Sequence, residues 1–552
     1  MNLRPYQNNA IAGILGELAS HRSTLAVMPT GTGKTVVFAS LIKHFPGRVM
    51  ILAHRTELVE QAAAKVLAVT GENPDIEMGQ KWAKADGLLG TSKVIVSSIQ
   101  TQNSGRRGAG RMNRFNPDDF DLVVIDEAHH APATSWREVI GHYQKNPRCK
   151  VVGFTATPDR KDEQALGQVF DSVGCRYELR DAIEDGYLVP IHQKSVYVKS
   201  LDFSSVRTTA GDLNGADLAE VMEFEENIHG IVTPTFELSE GRQTLVFAAS
   251  RIQAERMTEI FNRHVPNCAA FVDCMTPPDR RKQIFDDFHA GRIRFLVNVG
   301  IATEGWDGPS VEVVAMARPT KSRSLYAQMV GRGTRPHAGV VDFDGDAAAR
   351  RAAIVASPKP FMEIIDFVGN AGRHQLVSTA DILGGFSEEA KRRVKEKHAS
   401  GDDDEITSCV IDQLKQSEAE IQREQDEEKA REQRRMIVAK AKYSTSSSNP
   451  FNVFDITPTV STSSGNIILR PTAKQLGTLA KFGIDGSQMT MAEAGQMCQE
   501  CIRRMKSGKC TFKQAKLLKR FGYSSDIGIA EASRLIDAIA ANCWRKPESE
   551  AC

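Results

Sequence analysis

Short apolar runs alternate with amphipathic stretches through the first 385 residues. Leu25-Ala-Val-Met28, Leu122-Val-Val-Ile125 and Phe361-Met-Glu-Ile-Ile-Asp-Phe-Val-Gly-Asn370 are largely continuous rather than alternating. That is the pattern of strands covered on both faces of a parallel sheet, with helical crossovers between them. Residues 1–190 read as one such α/β lobe, closed at Asp181 to Pro190 by a last helix and its glycine stop. Residues 191–385 repeat the style as a second lobe, opened by Thr244-Leu-Val-Phe-Ala248. Near the start, Leu3 to Gln7 reads as a separate element followed by a short amphipathic helix over Ile11 to Ala19.

The pattern then changes. Ser387 to Ala441 is highly charged and nearly free of glycine and proline after Asp402, which predicts a solvated helix with a weak apolar stripe at Ile411, Leu414 and Ile421. The heptad does not persist, so a coiled coil is disfavoured. Tyr443 to Asn466 is rich in serine, threonine and asparagine, the composition of a flexible tether, so residues 386–468 form a charged helix and tether. Beyond it lies an internal repeat. Thr472-Ala-Lys-Gln-Leu-Gly-Thr-Leu-Ala-Lys-Phe-Gly483 aligns with Thr511-Phe-Lys-Gln-Ala-Lys-Leu-Leu-Lys-Arg-Phe-Gly522, and each copy is followed by Ala-Glu-Ala, at 492–494 and 530–532. Each predicts a Thr-capped helix with apolar positions at Leu476, Leu479 and Phe482 or Ala515, Leu518 and Phe521, a glycine stop and a second helix. Residues 469–545 are thus expected to be a small all-α module. Lys474, Lys481, Lys513, Lys516, Lys519 and Arg520 suit nucleic-acid or partner binding there as well as simple solubility.

Chemistry enters at two strand ends. Asp126 and Glu127 follow the Leu122–Ile125 run, where open α/β sheets bind ligands, and adjacent carboxylates there suit a magnesium ligand beside a water-activating base. Read alone, a solvated acidic turn would look the same. Upstream, Leu25–Met28 runs into Pro29-Thr-Gly-Thr-Gly-Lys-Thr35, a phosphate-binding loop. Gly31 and Gly33 let backbone N–H groups converge, Lys34 reaches the β- and γ-phosphates, and the Thr35 hydroxyl can hold the metal. Met28 stands where the general pattern wants a small residue, so the strict eight-residue form is not met. Together the two segments point to a nucleotide triphosphatase using ATP and Mg2+.

Pro-Thr-Gly-x-Gly-Lys-Thr with Asp126-Glu-Ala-His129 resembles the superfamily 2 helicases of the DEAD/DEAH-box type, in particular the bacterial and phage RadD-like and XPB-like DNA helicases. The resemblance covers residues 3–335. It implies two RecA-like lobes with ATP hydrolysed between them. Leu3-Arg4-Pro5-Tyr6-Gln7 would recognise adenine through Arg4 and Gln7, with the phosphate loop of Pro29, Thr30, Gly31, Thr32, Gly33, Lys34 and Thr35 beneath. Ala53-His-Arg-Thr-Glu-Leu58 and Val96-Ser-Ser-Ile-Gln-Thr101 match segments that touch the nucleic-acid backbone, giving Arg55, Ser98, Gln100 and Thr101, joined by Ser250 and Thr303. Gly153-Phe-Thr-Ala-Thr-Pro158 matches the motif linking hydrolysis to movement, through Thr155 and Thr157 with His129. In the second lobe Asn298–Asp307 would supply Gly305 and Asp307 to the nucleotide, and Gln328-Met-Val-Gly-Arg-Gly-Thr-Arg335 the arginines of the transition state. Arg332 and Arg335, at i and i+3 on a short helix, would share a face with Gln328. Translocation is better supported than strand separation, because no wedge element is recognisable. The alternatives are an RNA helicase, or a nucleotide-gated binding or sensing subunit of a repair or phage-defence assembly.

Composition adds bounds. The chain has 552 residues, 41% hydrophobic and 25% charged, with net charge +1, so three or four domains are expected and any nucleic-acid contact must come from a local basic track. Arg106, Arg107, Arg111 and Arg114 form one candidate loop, as phosphate contacts or as solvated arginines. No run approaches a membrane span, the N-terminal stretch lacks an export pattern, and ten scattered cysteines suit reduced thiols, so a cytoplasmic location is expected. Cys498, Cys501, Cys510 and Cys543 lack the second close pair of a zinc site and read as small core residues. Residues 386–545 also suit contact with a protein partner.

Overall fold

The structure, a computed structural model, describes residues 3–54, 56–85, 91–104, 110–156, 166–209, 211–301, 306, 308–372, 374–400, 409–442, 449–458, 469–542 and 544, with side chains described except at 56–57, 399–400 and 434–442. The chain divides into two compact units, Met1–Asp426 and Glu427–Cys552.

The first unit holds two parallel sheets. β1 (Ser23–Val27), β2 (Arg48–Ala53), β3 (Asp75–Glu77), β4 (Val94–Ser98), β5 (Phe120–Ile125), β6 (Lys150–Thr155) and β7 (Ser172–Arg176) pair in the order β3-β4-β2-β5-β6-β1-β7. β8 (Ile191–Asp202) is followed by a small antiparallel ribbon of β9 (Thr208–Thr209) and β10 (Asp212–Leu213). β11 (Thr244–Phe247), β12 (Ala269–Val272), β13 (Phe295–Asn298), β14 (Val313–Met316) and β15 (Met362–Asn370) complete a second sheet with β8, ordered β12-β13-β11-β14-β15-β8. β2 and β5 are buried on both faces, which is why their sequences show no alternation. β6 separates β5 from β1, so the Asp126-Glu127 end and the phosphate loop flank one strand end. One apolar cluster runs from Phe38, Ile51 and Val124 in the first lobe to Leu245, Met329 and Ile364 in the second, so the lobes share a core.

Three expectations change. Pro5–Ser20 is a single helix that absorbs Tyr6 and Gln7, because Pro5 occupies the first helical position, where its missing N–H costs nothing. The charged region is two helices, Glu388–Ser400 and Val410–Lys442, and the second is not solvated at its start: Val410, Ile411 and Leu414 are buried in the core of the first unit. Within the expected tether, Pro450–Phe454 is a helix whose Phe451, Val453 and Phe454 are buried in the second unit.

That second unit packs Ala473–Lys481 on Met491–Lys506 and Phe512–Arg520 on Ile529–Ala541 around one small core. Thr472 with Gln475 and Thr511 with Gln514 form reciprocal caps at equivalent positions of the repeat, and Gly483 and Gly522 close both helices at φ 74° and 77°. Leu479, Ala515 and Leu518 are fully buried, whereas Leu476 stays exposed at the surface. Cys498, Cys501 and Cys510 are buried in the same core; Cys543 lies outside the described residues. No helix among the described residues is long and apolar enough to cross a membrane.

Candidate functional site

The loop beyond β1 meets the second lobe just past its Arg323–Val330 helix, and the ends of β6 and β5 lie beside that loop in the first sheet. Met28 extends β1, its N–H donating to the Thr155 carbonyl at 2.9 Å, before the chain turns through Pro29–Gly33. Gly31 and Gly33 take φ of 93° and 80°, a region costly for any side chain. The Thr32 hydroxyl donates to the Pro29 carbonyl at 2.7 Å and tightens the loop. Helix Lys34–Leu41 starts directly from Gly33, with no side chain capping its first N–H groups, and carries Thr35 in its first turn.

The N-terminal helix braces this loop. Gln7 Nε2 and the Tyr6 hydroxyl both donate to the Thr32 carbonyl, at 3.0 and 2.8 Å, while the Arg4 N–H donates to Gln7 Oε1 at 2.9 Å. Both ends of the Gln7 amide are thus engaged, so it ties the helix to the loop. Tyr6, to which no role attached in the sequence beyond its place beside Gln7, stacks on Tyr177 at 4.6 Å. The Arg4 guanidinium lies 5.1 Å over the Tyr187 ring and pairs with Asp342 of the second lobe at 2.7 Å, a partner with no sequence signal. A cleft of 590 Å³ opens beside Tyr6, Tyr177, Tyr187 and Arg350.

At the end of β5, the Asp126 N–H donates to the Leu52 carbonyl at 3.0 Å and its Oδ1 accepts from the Glu127 N–H at 3.1 Å. Glu127 sits at φ 52°, a left-handed conformation that side chains adopt only where surroundings impose it. Its Oε1 lies 3.2 Å from Lys34 Nζ and its Oε2 3.4 Å from His129 Nδ1. Burial alone would raise this carboxyl, but the Lys34 ammonium and His129 outweigh it and hold Glu127 well below the usual carboxylate range. Glu127 Oε2, His129 Nδ1, Thr155 Oγ1 and Gln328 Nε2 are buried without a hydrogen-bond partner. Burying each such atom costs about 1–3 kcal/mol, and the pair Glu127 Oε2 and His129 Nδ1, 3.4 Å apart, suits a site that a polar ligand completes.

The second lobe reaches the loop itself. Gly331 packs so closely that a Cβ there would lie 2.6 Å from Thr30 Cβ, and Arg335 lies across Gly31, where a Cβ would meet Arg335 Cγ at 3.2 Å and Nε at 3.4 Å. Gln328 is on the Arg323–Val330 helix, but Arg332 and Arg335 are not. The helix ends at Val330 because the chain must squeeze past Met362 at Gly333, where a Cβ would sit 2.0 Å from its Sδ. Arg332 therefore projects from the turn and donates to the Trp306 carbonyl, and Arg335 follows in chain of no regular structure.

The expected nucleic-acid segments lie at neighbouring strand ends. Ser98 caps the helix Ile99–Asn103 and shares a 2.8 Å hydrogen bond with Thr101, leaving both side chains buried, while Gln100 is exposed. Ser250 caps Arg251–His264 and donates to Glu223. Arg55, Thr157, Thr303, Gly305 and Asp307, with Arg106 and Arg107, lie outside the described residues. Arg111 and Arg114 are structural: each lies 3.1 Å from the fully buried Glu77 carboxylate, and both stack on Trp82.

The loop glycines, the uncapped helix start, Lys34, and the oxygens of Thr35 and Asp126 beyond the ends of β1 and β5, on either side of β6, fit a nucleoside triphosphate with a divalent cation. Comparison with known proteins agrees in kind. Residues 1–160 match the family described as type III restriction enzyme, res subunit, and residues 225–337 match the helicase conserved C-terminal domain. The IRC3 protein of Saccharomyces cerevisiae, provisionally named an ATP-dependent helicase, is 30% identical over 437 residues, covering 76% of this chain and 57% of its own length. The DNA 3'-5' helicase XPB of Kineococcus radiotolerans is 26% identical, covering 66% of this chain and 64% of its own length. The fragment structure of an HsdR-type subunit of a type I restriction enzyme from Vibrio vulnificus aligns with TM-score 0.48 at 22% identity, covering 67% of this chain and 64% of that one. This chain thus spans less than two thirds of these proteins.

Proposed function

Since this chain belongs to the superfamily 2 helicases, we propose that it is an ATP-driven motor on nucleic acid, with DNA favoured over RNA. The observation that carries the reading is a cleft built from both lobes: Lys34 against Glu127 on one side, Arg335 laid over Gly31 from the other. Residues 1–190 are assigned the ATP-binding lobe, 191–385 the second lobe, and 386–468 with 469–545 a linking region and helical module open to nucleic acid or a protein partner.

Roles follow from the chemistry. Lys34 and the loop N–H groups hold the phosphates, and Arg4, Gln7 and Tyr6 bound the base side. Thr35 and Asp126 would hold magnesium, which when bound neutralises charge on the phosphate oxygens. Glu127, kept ionised, polarises the attacking water; Arg335 and Arg332, with Gln328, stabilise charge on the transferring group. Gly305 and Asp307 join the nucleotide side. His129, Thr155 and Thr157 relay hydrolysis to lobe movement. Because Ser98, Thr101 and Ser250 spend their side chains on helix caps, nucleic acid would be met there through Gln100 and backbone N–H groups, with Arg55 and Thr303 alongside. Hydrolysis needs both lobes together, so a strand lying across them would favour the closed state and raise turnover. A cytoplasmic location is part of this reading.

Phosphate release measured with single-stranded, duplex and forked DNA and with RNA tests it. DNA should stimulate most, and Lys34→Ala should abolish turnover; activity surviving that substitution would sink the assignment. Preferential stimulation by RNA would move the substrate. A Glu127→Gln variant that traps a stable DNA complex, in a protein with no directional movement, would favour a nucleotide-gated sensor instead.

A further inference from the structure

The second unit carries a charge that the rest of the chain lacks. Residues 469–545 hold 13 Lys and Arg against 6 Asp and Glu, whereas the remainder holds 57 against 63. Ion pairs engage Arg503 and Arg504 with Glu500, Lys509 with Asp526 and Lys519 with Asp455. Lys474, Lys481, Lys506, Lys513, Lys516 and Arg520 are exposed and have no carboxylate partner among the described residues. Four of these recur with the repeat. Lys474 and Lys513 stand two residues past the capping threonines, and Lys481 and Arg520 immediately before Phe-Gly. A cation in the first turn opposes the helix dipole, so folding does not call for Lys474 or Lys513. The two sets also adjoin: Lys513 Cε lies 3.4 Å from where a Cβ on Gly483 would be, two residues beyond Lys481.

We propose that this unit is a separate DNA-backbone contact that binds phosphates without reading sequence. Equivalent cations repeated on paired hairpins suit a polymer of evenly spaced negative charge better than a folded protein surface. The test is DNA binding by the full chain, without ATP, across a salt series, comparing wild type with Lys474→Gln/Lys481→Gln/Lys513→Gln/Arg520→Gln. Each phosphate that a cation neutralises on duplex DNA steepens the log–log salt slope by about 0.9, so the fourfold variant should bind with a slope shallower by about 3.6 and at least tenfold more weakly at ~0.1 M salt. An unchanged slope and affinity, with melting showing the variant folded, overturns the proposal. Binding is read without turnover, so failure of the motor assignment would leave this test intact.

A second observation stands at the carboxyl edge of the first sheet. Across the neighbouring strands β4, β2 and β5, Gln100 Nε2 lies 3.3 Å from His54 Nδ1, the His54 ring stacks on His130 at 4.7 Å, and His130 meets His129 at 4.0 Å. His129 in turn approaches Glu127. We infer that this line of imidazoles carries the presence of DNA to Glu127, with His54 and His130 as positioning residues; the inference rests on the motor reading. In His130→Ala and His54→Ala the ratio of DNA-stimulated to basal ATP turnover should fall at least tenfold, while His54→Phe, which keeps the stack but loses the Gln100 contact, should fall less. A wild-type ratio in either alanine variant overturns the inference, as does an equal fall of basal and stimulated rates. A wild-type protein without DNA stimulation would instead defeat the motor reading beneath it.

Discussion

Replacing Glu127 by glutamine keeps the shape of the site and removes one charge. Lys34 Nζ lies 3.2 Å from the carboxylate, a pairing worth about 5 kcal/mol at an effective dielectric constant near 20, most of which offsets the cost of burying both groups. Losing the charge therefore moves nucleotide affinity little, and in the tighter direction, because a neutral amide competes less with phosphates for the ammonium. Losing the base that polarises water costs about 10²–10⁴ in kcat, or about 3–5 kcal/mol. Steady-state phosphate release paired with equilibrium ATP binding should show a large fall in kcat with unchanged or lower Kd. The wild type adds a pH signature. Since burial is outweighed by Lys34 and His129, Glu127 is ionised well below the ordinary carboxylate range, and its contribution to stability is lost only as pH falls through that depressed value. Turnover should accordingly show no acid limb near pH ~4–5 attributable to this residue. A variant retaining more than about a tenth of wild-type kcat would refute the role, as would an unchanged kcat with weaker binding.

Arg335→Ala should reduce single-turnover hydrolysis by about 10³ or more while ATP binding persists, because the guanidinium comes from the opposite lobe; a loss confined to binding would contradict it. Arg111→Ala should lower stability by about 2–3 kcal/mol in denaturant melts, since it strips one of two partners from buried Glu77, and leave DNA affinity unchanged. Burial pushes the Asp366 carboxyl up to about 7, so the stability it contributes is present below its ordinary value and lost as pH rises through about 7. Asp366→Asn should then melt a few degrees higher than wild type at pH ~8 and by a clearly smaller margin at pH ~5, and the reverse order would refute the assignment.

The phosphate loop and the Asp126-Glu127 strand end were legible because both are local: a buried strand, a turn rich in glycine and a helix within a dozen residues. The capped repeats at Thr472 and Thr511 were legible for the same reason. What escaped depends on distant pairs. Glu77 sits in a short polar strand and gives no hint of Arg111 and Arg114, more than thirty residues on, so in sequence those arginines look like a phosphate-binding loop. Phe451, Val453 and Phe454 were hidden by the serine- and asparagine-rich composition around them, although three apolar residues in one turn of helix could have flagged a docked element. The expected Gln328–Arg335 helix face failed because Gly333 must pass Met362, a tertiary contact that no periodicity records.

Triplex displacement on duplex DNA, run with ATP, with a non-hydrolysable analogue and with Arg335→Ala, tests the central claim most directly. The account predicts that the wild type strips the third strand only while ATP is hydrolysed and that Arg335→Ala, still binding ATP and DNA, does not. Displacement by the analogue, or robust DNA-stimulated hydrolysis with no displacement by the wild type, would contradict a motor whose cleft is completed across its two lobes.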